Sequence, residues 1–404
     1  MKNIELYYEP LDIFDKLNQK NMSEMTDHES AFLCGVIKKI KPKKILEIGV
    51  AAGGSTICIM NCIDKLNLDC EVYSCDLNKE YYRDQTKKTG YLTDEIEGYL
   101  TNIPKHKFYL GDCLPKFIDQ IGVDIDMVLI DTVHSLPGEI LDFLTCTPYL
   151  STNAAIVLHD LCLNFYGYCS DAFATKLLFD VVVSDEKYKN NDVSRKEDFS
   201  NIGMFQVTSD TLKYIENVFS ALSISWAYYP GDNMINQYLD FYMRYYPENL
   251  ITLFNQCCNL QKELIVKVDD SKLEKVLPFF IQLIKLHPIY LYGTGKSGER
   301  LYHYIQENGG LIKGFITSKK EVDIYLGENV YSLEEFSLYK ENNSRIILAM
   351  HEKFYPEISL LLQEYDIVKS TYPSIQCKGE IQNFIQIKNF IKLINYIKEN
   401  QNYS

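Results

Sequence analysis

The stretch Ile45-Leu46-Glu47-Ile48-Gly49-Val50-Ala51-Ala52-Gly53-Gly54-Ser55-Thr56 decides the fold. It begins as an apolar strand, turns on glycines and enters a segment with helical periodicity. Glycines at such a turn let the backbone approach a ligand closely, and the helix that follows offers unpaired amides at its N-terminus. Glu47 stands near the end of the strand, where its charge would repel a phosphate group. The turn therefore favours a cationic ligand over a dinucleotide.

Outward from this stretch, short β-branched runs alternate with helix-length amphipathic segments from about residue 44 to 208. This alternation is typical of a parallel sheet with crossover helices, and it predicts a doubly wound α/β domain. Ahead of the first strand, Thr26 and Glu29 fit a capping box for a helix that ends near Lys41. The runs that we predict as strands are 44–49, 71–77, 107–111, 126–130, 154–158 and 202–207.

Acidic residues end or follow these predicted strands. Asp76 ends the second strand, where a carboxylate can accept both hydroxyls of a ribose, and Asp112 follows the third, from which it could accept from an adenine amino group. Asp131 and Asp160 follow the fourth and fifth strands. S-adenosylmethionine has the ammonium, sulfonium, ribose and adenine that such positions would bind. The alternative is that Asp76 and Asp112 are exposed capping residues that bind no ligand.

Three motifs resemble those of class I S-adenosylmethionine-dependent methyltransferases, and the resemblance extends from about residue 20 to 208. They are residues 46–49 with 53–55, residues 130–134, and residues 158–160. Within the superfamily they are similar to the catechol-O-methyltransferase-like and the macrocin or sugar O-methyltransferase-like groups. The resemblance implies a Rossmann-like fold and an enzyme. The cofactor-binding residues that we predict are Glu47, Gly49, Gly53, Ser55, Asp76 and Asp112.

Two of the strand-end aspartates could share a cation. In the resembling groups these positions hold Mg²⁺, so Asp131 and Asp160 are predicted metal ligands, with His159 as a third. A neutral imidazole, however, suits Zn, Fe or Mn better than Mg²⁺. His134 offers an alternative without metal, as a general base on an acceptor hydroxyl or amine. We predict Asp131, His134 and His159 as catalytic residues; the alternative is that both histidines only hydrogen-bond their loops.

A second glycine turn, Gly293-Thr294-Gly295-Lys296-Ser297-Gly298, follows the apolar run 289–292. Its spacing matches a dinucleotide motif. A Walker A motif is excluded because Tyr290 stands where its first glycine belongs, and Thr317-Ser318 stands where a ribose-binding acid is expected. The segment resembles small Rossmann-like domains of bacterial sugar-modifying and glycan-assembly proteins. We expect a structural, substrate-holding or assembly domain rather than a second redox site.

Tyrosines are concentrated between the two wound segments, in 226–246, where helical periodicity replaces the strand signal. An aromatic stripe at helical spacing favours a packing surface, although tyrosines could also line an acceptor pocket. The predicted fold class is α/β: a doubly wound Rossmann-like methyltransferase domain, a helical bridge and a second, smaller Rossmann-like α/β domain. The predicted divisions are a methyltransferase domain (1–208), a tyrosine-rich helical bridge (209–285), a Rossmann-like domain (286–376) and a C-terminal amphipathic helix (377–404).

Composition narrows the class of protein. The chain has 404 residues and a formal charge of −14, which argues against a nucleic-acid surface. Its 12 cysteines are too sparse for a disulfide scaffold and form no C-x-x-C pair, which disfavours a zinc site. The N-terminus lacks a signal-peptide pattern and no uncharged 18-residue run follows. We therefore expect a reduced, cytoplasmic protein without membrane partners.

The expected function is S-adenosylmethionine-dependent methylation of a hydroxyl on a sugar, glycan precursor or small polar metabolite, with Mg²⁺ or another divalent metal as a candidate cofactor. Methylation of an amino-acid or amino-sugar nitrogen is one alternative. An NAD(P)-dependent oxidoreductase acting through 293–298 and a non-catalytic glycan-assembly protein are two others. Besides the small acceptor, a second copy of the chain is a candidate partner, through the helical bridge or the C-terminal domain.

Overall fold

The computed structural model divides into two compact units, Met1–Ile265 and Val266–Ser404. The predicted C-terminal helix 377–404 lies outside the residues that the structure describes, and the predicted domain boundaries stay predictions. The described residues are 2–17, 24–165, 171–191, 200–339, 345–349, Ile358, Leu361, Leu362 and Tyr365.

A seven-stranded sheet organises the described part of the first unit, in the order β5-β2-β1-β6-β7-β9-β8. The first five of these strands pair in parallel, and β9 pairs antiparallel with both β7 and β8. A separate two-stranded ribbon joins β3 and β4. The strands are β1 (Lys44–Ile48), β2 (Glu71–Asp76), β3 (Glu80–Tyr81), β4 (Asp84–Lys88), β5 (Lys105–Leu110), β6 (Ile125–Ile130), β7 (Leu150–His159), β8 (Lys187–Tyr188) and β9 (Ile202–Gln206).

Helices cover both faces of this sheet. The two faces alternate along β1, because Ile45 belongs to one buried cluster and Leu46 to the other. The helices are α1 (Asp12–Lys16), α2 (Asp27–Ile40), α3 (Gly54–Lys65), α4 (Ile118–Ile121), α5 (Gly138–Cys146), α6 (Ala174–Val181), α7 (Ser209–Lys213), α8 (Glu216–Ala221), α9 (Asp232–Tyr242) and α10 (Glu248–Leu286). The wound parallel sheet confirms the predicted fold class.

The start of α2 shows why local sequence sets a helix boundary. The Glu29 amide donates to Thr26 Oγ1 (3.3 Å) and the Thr26 amide donates to Glu29 Oε2 (2.7 Å). This is the capping box expected from the sequence. The helix ends at Ile40, and Lys41 follows with a φ of 50° before Pro42.

The tyrosine-rich segment packs on the first unit's core. Phe219, Tyr242 and Phe254 are buried in the same cluster as Ile130 and Leu158 of the central strands. The Tyr242 hydroxyl donates to the Leu141 carbonyl oxygen (2.8 Å), which ties α9 to α5. For these aromatic side chains the packing interpretation is therefore the one that the structure supports.

The second unit contains a smaller wound sheet, in the order β12-β13-β11-β10-β14. Only β12 pairs antiparallel among these described strands. A side chain at Gly298 would lie 2.2 Å from the Gly293 carbonyl oxygen, so the second glycine turn requires glycine there. The elements are β10 (Ile289–Tyr292), α11 (Lys296–Glu307), β11 (Ile312–Thr317), β12 (Ile324–Tyr325), β13 (Glu328–Ser332), α12 (Leu333–Tyr339) and β14 (Arg345–Leu348).

Within the part of the chain that the structure describes, none of the helices combines the length and the apolar character that crossing a bilayer requires.

Phe254→Ala should destabilise the first unit by about 3–5 kcal/mol, because it opens a cavity in the core against the Tyr242 ring. Urea unfolding, followed by the fluorescence of Trp226, measures the free energy of unfolding of this unit. Trp226 is the single tryptophan of the chain, and it is buried. Leu260→Ala is the matched control on the same helix, since Leu260 is 46% exposed, and should change the free energy of unfolding by less than about 0.5 kcal/mol. Equal effects of the two substitutions would contradict the packing of α10 described above.

Candidate active site

A cavity of about 410 Å³ opens at the carboxyl ends of the central parallel strands. This is where ligands bind in open α/β sheets. Its walls come from the glycine loop after β1, the ends of β2, β5 and β6, the first turns of α5, and the segment that leads into α9. Residues predicted from the sequence that line it are Gly49, Ser55, Asp76, Asp112, Asp131 and His134.

The glycine loop passes close to its neighbours at two points. Gly49 has a φ of 92°, and a side chain there would lie 1.8 Å from the Asp131 carbonyl oxygen. Gly53 has a φ of 97° at the N-cap of α3 and lies against Gly90, although it does not itself line the cavity. Both positions therefore need glycine for the loop to fold over the strand ends.

Glu47 faces α3 rather than the cavity. Its oxygens accept from Ser55 Oγ (2.6 Å), Thr56 Oγ1 (2.7 Å) and Ser74 Oγ (2.6 Å). Burial raises the pKa of Glu47 to about 7, although the three hydroxyl groups act in the opposite direction. The expected direct contact with a cofactor is corrected accordingly: side chains alternate along β1, and this one points into the protein, where it holds the start of α3.

Asp76 and Asp112 both reach the cavity, from adjacent strands. Asp76 Oδ2 accepts from the amides of Val50 (2.9 Å) and Ala51 (3.2 Å), so it fixes the glycine loop to the end of β2. Asp112 Oδ1 accepts from the amide of Cys113 (2.8 Å). The amides of Val50 and Ala51 are therefore already occupied by Asp76.

His159 lies behind the cavity wall and is 2% exposed. Its Nδ1 is 3.1 Å from Asp131 Oδ1, and its Nε2 is 3.3 Å from Glu29 Oε2. Burial alone would lower the pKa of His159, but Asp131 and Asp160 raise it well above the usual value. Burial likewise opposes ionisation of Asp131, yet the His159 charge holds the pKa of this carboxyl below its ordinary value. His159 thus lies between acidic side chains that favour its charged form.

This position corrects the prediction of His159 as a metal ligand and catalytic residue. Both of its ring nitrogens face carboxylates, and neither lines the cavity. Among the described residues, the group that could hold an ion is Asp131, His134 and Asp160, whose ligand atoms lie within 4.8 Å of one another. His134 Nε2 is 3.3 Å from Asp160 Oδ2 and 3.8 Å from Asp131 Oδ1. His134 thus takes the place that the sequence suggested for His159.

Other residues of the site were missed by the sequence interpretation. Glu29 was recognised only as a helix cap, yet it also contacts His159 and accepts from Asn201 Nδ2 (3.0 Å). Glu139 accepts from Thr132 Oγ1 (3.0 Å) and from the His134 amide, and burial raises its pKa. The sequence contained one signal for these residues. Glu139 and Asp142 are two acids, three residues apart, in a helix that is otherwise largely apolar. From the helical segment, Pro230 and Met234 line the cavity unforeseen, whereas Tyr228 and Tyr238 are two of the tyrosines for which a pocket lining was the alternative prediction.

The cavity wall is acidic. The lining side chains in the described part of the chain include five acids and neither lysine nor arginine. Such a wall attracts a cation and repels a phosphate or pyrophosphate. The arrangement fits a ligand with a sulfonium and an ammonium group. The five acids are Glu24, Asp76, Asp112, Asp131 and Asp142.

One family model matches part of the first unit. Residues 46–161 match the family model described as a methyltransferase domain. A search of curated proteins finds no significant match.

Three solved structures are similar to about half of the chain. The O-methyltransferase TomG from Streptomyces achromogenes, in complex with SAM, is 15% identical, with 50% of this chain and 88% of that chain covered and a TM-score of 0.35. Cofactor-bound Rv0187 from MTB is 16% identical (49% and 87% covered, TM-score 0.36). An O-methyltransferase from Bacillus cereus in complex with SAH is 13% identical (50% and 89% covered, TM-score 0.35).

Residues 46–161 match a methyltransferase domain, and they lie within the wound sheet whose strand ends carry the cavity. The resemblance expected from the sequence is thereby confirmed for this domain.

His159→Leu should destabilise the first unit by about 3–5 kcal/mol, because it leaves Glu29 and Asp131 buried without their cation. Since the pKa of folded His159 is raised, its stabilisation is complete below the unfolded pKa of about 6.5 and is lost as the pH rises through the folded value. The difference in the free energy of unfolding between variant and wild type, measured by urea unfolding, should therefore decrease at alkaline pH.

His106→Leu is the matched control for this experiment. Burial lowers the pKa of His106 to about 4, so this ring is neutral and its nearest polar partner is Ser74 Oγ (3.0 Å). We expect His106→Leu to lower the free energy of unfolding by less than His159→Leu does, and by the same amount at pH 6 and pH 9. A loss as large as that of His159→Leu, with the same pH dependence, would argue against a buried imidazolium at His159.

Proposed function

We propose that this protein transfers the methyl group of S-adenosylmethionine to a hydroxyl group of a sugar, glycan precursor or other small polar metabolite. One observation carries the proposal: the same cavity is lined by Asp76 and Asp112, from the end of β2 and the loop after β5, and by Asp131 and His134, from the loop after β6. A cationic cofactor and a base for the acceptor can therefore occupy the same space.

The cofactor would lie across the strand ends from the glycine loop to Asp112. Asp76 would accept from the ribose hydroxyls, exchanging contacts that it now makes with the loop amides. Leu77 (46% exposed) and Val133 (43% exposed) are apolar side chains that face the cavity, and a flat adenine ring between them would cover both. Asp112 would accept from the adenine amino group. Gly49 and Ser55 would border the methionine part, with Glu47 and Gly53 shaping the loop.

The acceptor would approach His134. The sulfonium is already activated, so the protein needs to supply proximity, in-line geometry and a site for the hydroxyl proton. As the acceptor oxygen bonds to the methyl carbon, the carbon–sulfur bond breaks and S-adenosylhomocysteine forms, while His134 Nε2 takes the proton. Asp160 and Asp131, at 3.3 and 3.8 Å from this nitrogen, would stabilise the imidazolium.

A metal-assisted version rests on the same three residues. Asp131, His134 and Asp160 supply one nitrogen and two carboxylate oxygens within 4.8 Å, a donor set that suits Mn²⁺, Fe²⁺ or Zn²⁺ better than Mg²⁺. A bound metal would lower the pKa of an acceptor hydroxyl. The Asp160 carboxylate is already oriented for either role, because its Oδ1 accepts from Asn201 Nδ2 (2.7 Å).

The nature of the acceptor atom and the role of the second unit belong to this proposal as well. An acid-lined cavity also suits an amine acceptor, so nitrogen methylation is the second candidate. For the second unit we keep the proposal of a substrate-holding or assembly domain, and a second copy of the chain stays a predicted partner. A screen of sugars, nucleotide sugars and amino-acid derivatives with labelled methyl donor would identify the acceptor.

Asp76→Ala should weaken binding of S-adenosylhomocysteine about 10- to 150-fold, because the ribose hydroxyls lose a charged acceptor worth about 1.5–3 kcal/mol. Titration calorimetry measures the affinity. Asp69→Ala is the control, since Asp69 is exposed and precedes β2 at the opposite end of the strand. Unchanged affinity in Asp76→Ala would refute this placement of the cofactor, and tight NAD(H) binding without S-adenosylhomocysteine binding would favour an oxidoreductase.

Asp160→Ala should lower the affinity for Mn²⁺ at least about tenfold, because one of three ligand groups is lost. Electron paramagnetic resonance of free Mn²⁺ measures binding without any acceptor, and Asp69→Ala again serves as the control. If wild type binds no Mn²⁺ at millimolar concentration, the metal-assisted version is excluded and His134 stands as the base alone.

A further inference from the structure

Asp142 is a buried acid that lines the cavity without a cation beside it. It lies on α5, is 8% exposed, and its Oδ1 accepts from the hydroxyl of Tyr238 on α9 (3.4 Å). Among the described residues it forms no ion pair, and the cavity wall there holds neither lysine nor arginine. The role proposed for the other strand-end acids, neutralising a cation or binding a ribose, does not involve it.

Asp142 belongs to the end of the cavity where the adenine would lie. Cys113 directly follows Asp112, and its thiol donates to Gln237 Oε1 (3.0 Å), which joins the loop after β5 to α9. Burial raises the pKa of the Cys113 thiol, and the nearby charge of Asp112 raises it further. The loop after β5, α5 and α9 therefore form one continuous wall around the proposed nucleobase.

The edge of adenine needs both a donor and an acceptor from that wall. Its N6 amino group donates and its N1 accepts. The Asp112 carboxylate can only accept, and the adjacent backbone donor, the Cys113 amide, is already taken by Asp112 Oδ1 (2.8 Å). A protonated carboxyl group offers an O–H and a C=O side by side, which matches N1 and N6.

The surroundings of Asp142 keep it in that protonated form. Burial raises the pKa of Asp142 to about 8, and the charge of Glu139 on the same helix adds to this, while hydrogen bonds from Tyr238 and Thr132 act in the opposite direction. Besides Glu139, the titratable groups that interact with Asp142 in the described part of the chain are thiols and phenols: Cys75 on β2, Cys113 after β5, Cys146 on α5, Tyr228 before α9, and Tyr238 and Tyr242 on α9.

We propose that Asp142, as a neutral carboxylic acid held by Tyr238, recognises the adenine of S-adenosylmethionine by donating to N1 and accepting from the N6 amino group. This inference rests on the cofactor placement proposed above. It makes Asp142 a specificity-determining residue for the nucleobase, at a position where the sequence offered only a polar interruption of an apolar helix. Tyr238 is the positioning residue.

The test compares S-adenosylhomocysteine with S-inosylhomocysteine, whose base carries a donor at N1 and an acceptor at position 6. Wild type should bind the adenine compound about 10- to 100-fold more tightly, because the Tyr238 hydroxyl donates to Asp142 Oδ1 and so favours the acid proton on Oδ2, which pairs with an acceptor at N1 and not with a donor there. In Asp142→Ala the affinity for S-adenosylhomocysteine should fall by a similar factor, and the preference between the two compounds should fall with it. Titration calorimetry gives both affinities.

Asp142→Asn provides the decisive variant, because an amide has the same size and stays neutral while offering a donor and an acceptor. At pH 7 it should bind S-adenosylhomocysteine within about threefold of wild type. At pH 9 wild type should lose affinity, since Asp142 ionises above its pKa of about 8, whereas the asparagine variant should not. If Asp142→Asn is folded by Trp226 fluorescence but loses binding at pH 7, the neutral-acid role is overturned.

Tyr238→Phe and Tyr242→Phe separate positioning from general packing. Both tyrosines are buried on α9, but only Tyr238 lines the cavity, whereas the Tyr242 hydroxyl donates to the Leu141 carbonyl oxygen. Tyr238→Phe should lower the preference for adenine over hypoxanthine and Tyr242→Phe should leave it unchanged. Wild type that fails to bind S-adenosylhomocysteine would refute the proposed function itself. Binding in wild type with an unchanged preference in Asp142→Ala would refute only this inference.

Discussion

The buried contact of His159 with Asp131 and Glu29 is the interaction on which the site depends. Glu29 lies in the first turn of α2, Asp131 follows β6 and His159 ends β7, so three distant parts of the chain meet in one group of charges. Charges removed from water must be compensated where they lie. The His159 charge therefore favours the ionised form of Asp131, which lines the cavity.

Further constraints follow from that position of Asp131. The Asp131 carbonyl oxygen leaves no room for a side chain at Gly49, so the glycine loop is pressed against the end of β6. Asp76 then holds the other side of the loop through the amides of Val50 and Ala51. The loop is fixed between two carboxylate-bearing strand ends, and among the described residues five acids but neither lysine nor arginine line the resulting cavity. The proposed cationic cofactor therefore suits this cavity better than a dinucleotide does.

Much of the fold was predictable because strands and crossover helices have distinct periodicities. The runs around 44–49, 71–77 and 126–130 became β1, β2 and β6, and the capping box at Thr26 formed as expected. The site was less predictable. Glu47 and His159 both lie near the strand ends that border the site. Because side chains alternate along a strand, Glu47 faces α3. His159 is buried against Asp131 and acts as its counter-ion.

The sequence by itself determined the strand-turn-helix pattern, the need for glycine in the loop after β1 and the row of acids at the strand ends, because these depend on local backbone geometry and on spacing. Only the tertiary structure decided that His134 rather than His159 joins Asp131 and Asp160, and that Asp142 and Tyr238 reach the cavity from outside the predicted methyltransferase motifs. The physical reason is that the burial and the ionisation state of a side chain depend on which distant segments pack against it. The spacing of residues along the chain does not determine that packing.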